Sequence, residues 1–106
     1  MKLRCAVVLA ALTIICTTAA IAADPDGAAL FRSCVACHGA DGAGQTPTGK
    51  MMKVRDLRSA DVQKQTDMEL MKIISGGKGK MPAYGKKMTT PEITAIIAHM
   101  RTLRSE

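Results

Sequence analysis

The chain has 106 residues, a formal charge of +6 and only two aromatic side chains, Phe31 and Tyr84. That length sets one small domain, and so small a chain builds only a modest core from its own side chains. The basic excess is too weak for a nucleic-acid binder and suits an acidic protein partner or a membrane surface.

Residues 1–23 read as a secretory signal. Lys2 and Arg4 form the positive start, Ala6 to Cys16 the apolar run, and Ala20-Ile21-Ala22 a small-x-small cleavage site. Cleavage after Ala22 or Ala23 fits; the favoured site, after Ala23, leaves residues 24–106 as the mature domain, with 13 basic against 9 acidic residues. The mature chain is then expected in the periplasm, with no lasting membrane insertion. Ala6–Ala23 is long enough to read instead as a retained anchor, but its threonines and alanine-rich end favour removal. Ile15 ahead of Cys16 is too large for a lipid-attachment cleavage site.

Asp24-Pro25-Asp26 is a polar turn that opens a first helix, Gly27 to about Val35. Gly27, Leu30, Phe31 and Cys34 recur at i, i+3, i+4 and i+7 and make one face. Cys34-Val35-Ala36-Cys37-His38 lies at its end, and Gly39 stops it by permitting a left-handed backbone. Two thiols three apart, with a histidine directly after, form the attachment motif of c-type haem. Each thiol adds across one vinyl group of the same ring, so both sulfurs must stand on one face of a turn. His38 is then placed to bind the iron. Cys-x-x-Cys alone also fits a redox dithiol or half a zinc site. A redox dithiol wants a preceding strand, and no strand pattern is present. A zinc site wants a second ligand pair, and only His99 remains once Cys5 and Cys16 leave with the signal. A disulfide on one turn would staple very little chain.

Gly39–Lys50 has loop composition, with four glycines and Pro47. Such a loop can wrap one side of a haem. The Pro47 carbonyl is a candidate acceptor for the second imidazole N–H of His38; a plain turn proline is the alternative. Met51–Leu57 is short and mixed, with Val54 and Leu57 available to the core. Ser59 caps a brief helix through Val62. Thr66 and Glu69 form a capping box for a second clear helix, which ends near Ser75 at Gly76-Gly77. That helix presents Leu70, Ile73, Ile74 and one or both of Met68 and Met71. Thr89 with Glu92 makes another capping box, and Thr90 with Pro91 an equally legal start, for a last helix striped by Ile93, Ile96, Ile97, Met100 and Leu103.

Between these helices, Gly76 to Gly85 is glycine-rich and basic, and carries Met81 ahead of Pro82. Haem iron takes a second axial ligand unless its site is open, and a methionine thioether raises the reduction potential. Met68, Met71 and Met100 fall in helix patterns and read as core. Met51, Met52 and Met88 are ambiguous. Met81 lies on a loop far along the chain from His38, which makes it the candidate sixth ligand, with an open iron site as the alternative. Lys78, Lys80, Lys86 and Lys87 flank it, and no acidic residue lies between Glu69 and Glu92. Such a run is either a solvated loop or a docking face for an acidic partner.

These stretches resemble the class I c-type cytochromes, in particular the small single-haem bacterial members, over essentially all of residues 24–106. Cys34-Val35-Ala36-Cys37-His38-Gly39 matches the attachment motif. Gly79-Lys80-Met81-Pro82-Ala83-Tyr84 matches the methionine-ligand loop. Asp56-Leu57 and the Thr89–Leu103 helix match in order and spacing. The resemblance implies an all-α fold with three main helices around one covalent haem c. Carried over by position, Cys34 and Cys37 hold the haem, and His38 and Met81 bind its iron. It implies a monomeric, soluble one-electron carrier that meets other redox proteins, rather than an enzyme. A haem enzyme module with a labile sixth ligand, or a subunit of a larger redox complex, is the rival. Gly27 and Phe31 fall where the family's first helix crosses its last. His99 stands where the family offers an aromatic ring, which puts that packing in question and not the haem.

Overall fold

The computed structural model describes residues 11, 13–19 and 23–105. Lys2, Arg4, Cys5 and the expected cleavage site Ala20-Ile21-Ala22 lie outside the described residues. The folded part runs through α1 (Gly27–Phe31), a 3-10 turn (Arg32–Cys34), α2 (Val35–His38), α3 (Pro47–Met52), α4 (Ala60–Gln63), α5 (Asp67–Gly76) and α6 (Thr90–Thr102). Among the described residues the nearest thing to a strand is one isolated bridge, Lys78 to Met81. The fold is therefore all-α, as the sequence implies.

Caps fix where the helices begin. The Asp26 carboxylate accepts from the Ala29 N–H at 3.1 Å and opens α1. Ser59 does the same for α4. In α5 the Glu69 N–H donates to Thr66 Oγ1 at 3.1 Å, and the Thr66 N–H returns to Glu69 Oε2 at 2.7 Å. Thr89 and Glu92 repeat that reciprocal pair at α6, which decides its start in favour of Thr89. Each cap contributes about 1 kcal/mol.

Two expectations need correction. The first helix does not run evenly to Val35. Arg32-Ser33-Cys34 tightens into a 3-10 turn, and the helix resumes and reaches His38. Ser33 and Cys34 are weak α-formers, and a 3-10 turn tolerates them. Gly39, at φ 78°, then ends it. The second correction is at Pro47, which opens a helix instead of marking a loop. Thr46 Oγ1 accepts from the Gly49 N–H at 2.9 Å, and proline at the first position lacks only a donor that would go unused. Gly49 is read by composition as a breaker, yet it is the contact point of the helix. A Cβ there would land on the Cys37 carbonyl oxygen.

The core is Phe31, Leu57, Val62, Leu70, Ile74, Ile93, Ile96, Ile97 and Met100. The predicted stripe of α6 is thus buried, with Leu103 packed at its edge. α1 crosses α6 backbone to backbone at Gly27, where a Cβ would strike the Ala95 carbonyl. Phe31 meets His99 at that crossing, ring centroids 5.0 Å apart and tilted by 51°. The crossing therefore forms with histidine in the aromatic position.

Candidate functional site

The helices leave between them an apolar cavity of about 310 Å³, within the size range of small-molecule and cofactor sites. Cys34, Cys37 and His38 line it from the 3-10 turn and α2. Leu57, Val62, Leu70, Ile74, Ile96 and Met100 supply its apolar walls. Met81 and Tyr84 reach it from the α5–α6 connection. The sequence candidates Cys34, Cys37, His38 and Met81 are thus gathered on one cavity.

Local hydrogen bonds hold the Cys-x-x-Cys-His turn. Thr46 Oγ1 donates to the Ala36 carbonyl at 2.7 Å and approaches the Cys37 carbonyl at 3.1 Å. The Gly44 N–H donates to the His38 carbonyl at 2.7 Å. The threonine that caps α3 is therefore also the tie that holds α3 against the motif. Cys34 and Cys37 are free thiols. Burial pushes the Cys34 thiol above its ordinary range, and Cys37 beside it adds to the rise. Burial also lowers the basicity of His38, favouring the neutral imidazole that binds metals.

His38 Nδ1 is buried and has no hydrogen-bond partner. The Pro47 carbonyl, considered above as the acceptor for the second imidazole N–H, makes no hydrogen bond to it here. Two free thiols beside a half-buried imidazole suit a site that holds a metal group. The donor set also fits haem: two thiols for the vinyl groups, an imidazole for one axial position, a thioether for the other, and apolar walls for the ring.

Met81 is held by a tight turn. Its N–H donates to the Lys78 carbonyl at 3.0 Å, and the Lys78 N–H donates back to its carbonyl at 3.1 Å. Gly79 takes φ 56° inside the turn. Beyond it the Tyr84 and Gly85 N–H groups donate to the Ile74 and Ser75 carbonyls, at 2.9 and 3.0 Å, and fasten the loop to α5. Met88 packs against the core and does not line the cavity. His99 sits on Phe31, also away from it. Met52, Lys53, Arg55 and Gln65 line the cavity as well. The sequence marks Met52 only as an ambiguous methionine, and Lys53 and Arg55 only as part of a stretch free of acidic residues from Gly42 to Arg55.

Residues 22–100 match a family model described as cytochrome c oxidase, cbb3-type, subunit III. The chain belongs to this family. It is a class I c-type cytochrome, and the family's cofactor is covalently bound haem c with its iron. Solved structures agree. The protein called KustC0563 c-type cytochrome is 29% identical to this cytochrome with a TM-score of 0.70; the match covers 76% of this chain and 99% of that one. A point mutant of the same protein is 30% identical with a TM-score of 0.67, covering 74% and 99% of the two chains. A comparison with curated proteins finds no match.

Proposed function

We propose that this cytochrome is a periplasmic one-electron carrier, with haem c held by Cys34 and Cys37 and its iron bound by His38 and Met81. The observation that carries this is the convergence of Met81 with the Cys34–His38 turn on one apolar cavity. When bound, haem c supplies an iron that exchanges one electron between ferric and ferrous states. The chain's own residues position that group and surround it. Cys34 and Cys37 fix one edge. His38 and Met81 would hold the iron, and Leu57, Val62, Leu70 and Ile74 would exclude water from it. An iron held by both side chains would be closed to substrate, which suits transfer rather than catalysis.

The export reading rests on the signal pattern of residues 1–23. No helix among the described residues is long and apolar enough to cross a membrane. The partner suited to the lysine-rich loop is an acidic redox protein. Of the four flanking lysines, Lys78 and Lys80 line the cavity. Lys86 and Lys87 do not; Lys87 Nζ lies 5.7 Å from the Tyr84 ring centroid. The family description supports a second reading, a haem subunit of an oxidase assembly. The absorption spectrum of the exported protein tests the proposal. A carrier shows low-spin ferric iron, a sulfur-to-iron charge-transfer band, and a ferrous form that resists carbon monoxide. High-spin iron that takes up carbon monoxide readily would make it a ligand-binding haem protein instead.

A further inference from the structure

We propose that the exposed tip of α3, Lys50-Met51-Met52-Lys53, is the contact centre for an acidic one-electron protein. This rests on the carrier function proposed above and names where its partner docks.

Charge points there first. Lys53, Arg55, Lys78 and Lys80 line the cavity, and no carboxylate does. The two carboxylates that haem c carries, together with Asp61 and Glu69 beside Arg55 and Lys78 in an adjoining surface pocket, offset much of this charge, which leaves α3 as the basic rim. The chain has no acidic residue between Asp41 and Asp56, so α3 presents lysines without a local counter-charge.

Exposed apolar surface points to the same place. Met51 is 73% exposed and Met52 38%. The other exposed large hydrophobic of the folded domain, Met68, lies between Asp67 and Glu69 and carries the opposite local charge. Flexible, polarisable thioethers flanked by lysines make a small adaptable patch. An acidic rim on a partner pairs with the lysines, while the thioethers cover its apolar centre. Contacts of that size release quickly, as a carrier requires. Met52 both lines the cavity and reaches solvent, so a partner seated on α3 lies against the wall of the haem site. One electron then passes from the reduced partner to ferric iron, giving oxidised partner and ferrous iron, with no proton or group transferred.

The backbone at Lys53 is the third observation. It is the one non-glycine residue with positive φ among the described residues, at φ 54° and ψ 46°. It caps α3 in the left-handed conformation that glycine adopts at lower cost. Folding alone favours glycine there, whereas lysine keeps a cation at the rim. Strain tolerated at a functional site is a recurrent pattern.

The experiment uses the haem-loaded protein and a plant-type [2Fe–2S] ferredoxin, an acidic one-electron donor, as the probe. Stopped flow follows reduction of the ferric cytochrome across a range of ionic strength. Lys50→Gln with Met51→Gln should slow the second-order rate at least fivefold at low salt and flatten its salt dependence. Lys86→Gln with Lys87→Gln should change it less than twofold. Lys53→Gly should slow the reaction while leaving the thermal midpoint equal or higher, which a purely structural role for Lys53 does not produce. A wild-type rate in the Lys50/Met51 variant, or a larger loss in the Lys86/Lys87 variant, overturns the proposal. The absorption spectrum of each variant separates this outcome from failure of the axial-ligand assignment, which alters the spectrum before any partner is added.

Discussion

Lys78 and Met81 hydrogen-bond to each other in both directions, at 3.1 and 3.0 Å, across a turn with Gly79 at φ 56°. That reciprocal pair fixes the backbone of the residue assigned as the sixth ligand, so the ligand's position does not depend on side-chain packing alone. Gly77 completes the constraint at φ 75°, where a Cβ would come within 2.8 Å of the Met81 carbonyl oxygen.

The two glycines should respond differently to alanine. At Gly79 an added Cβ has nothing within 4 Å, so the cost is the backbone term alone, about 1–2 kcal/mol. At Gly77 the backbone, at φ 75° and ψ 168°, lies in a region essentially reserved for glycine, and the clash with Met81 adds to that larger cost. Gly77→Ala should therefore destabilise more than Gly79→Ala in denaturant melts, and it should also weaken the sulfur-to-iron band. An unchanged sulfur-to-iron band in Gly77→Ala would show that the Gly77 approach does not constrain Met81.

Arg101 offers a test of the scaffold. Its guanidinium donates to the Gln63 and Gln65 carbonyls at 2.7 and 2.6 Å and to Asp67 Oδ1 at 2.8 Å. It thereby joins α6 to the end of α4 and the start of α5. The exposed ion pair with Asp67 contributes little by itself; the half-buried carbonyls left without a charged donor matter more. Arg101→Ala should cost about 2 kcal/mol and Asp67→Asn well under half of that, both read from thermal unfolding.

At the α1–α6 crossing the expected penalties are steric. Gly27→Ala places a Cβ on the Ala95 carbonyl and should cost about 3 kcal/mol, the upper end of overpacking. His99→Ala removes a ring from Phe31 and should cost about 1 kcal/mol. His99→Phe should hold or raise the thermal midpoint. None of the three should move the haem absorption bands, because neither Gly27 nor His99 lines the cavity.

Acid stability should depend on Asp56. Two hydrogen bonds from the Arg58 side chain, each 3.0 Å, hold its carboxyl below the usual carboxylate range. A carboxyl depressed in the folded state adds stability above its unfolded value, near 4. That stability is lost as pH falls through the lower folded value. Arg58→Gln should therefore be less stable than the parent at neutral pH and unfold at a higher pH on acidification. The two proteins should converge below the folded value. Circular dichroism across an acid titration reads this directly.

Much of the fold is legible because its signals are local. Thr66 with Glu69 and Thr89 with Glu92 announce two helices by spacing alone, and Cys34 through His38 carries its chemistry in five adjacent residues. α3 is harder to see. Pro47 and Gly49 count as breakers by composition, and only Thr46 ahead of the proline signals a start. The need for Gly49 is tertiary, since the Cys37 carbonyl lies where its side chain would be. The cavity walls and the reach of Arg101 likewise join residues distant in sequence, and no local pattern encodes them.

The central claim is that Met81 and His38 bind one iron from opposite sides, and the ferric absorption spectrum of Met81→Ala tests it most directly. The account predicts loss of the sulfur-to-iron band, a shift toward high spin, new binding of cyanide or carbon monoxide, and a lower midpoint potential. Haem should stay covalently attached, because Cys34 and Cys37 are untouched. Persistence of the band in Met81→Ala would contradict the account, and Met52, which also lines the cavity, would then be the sulfur to test.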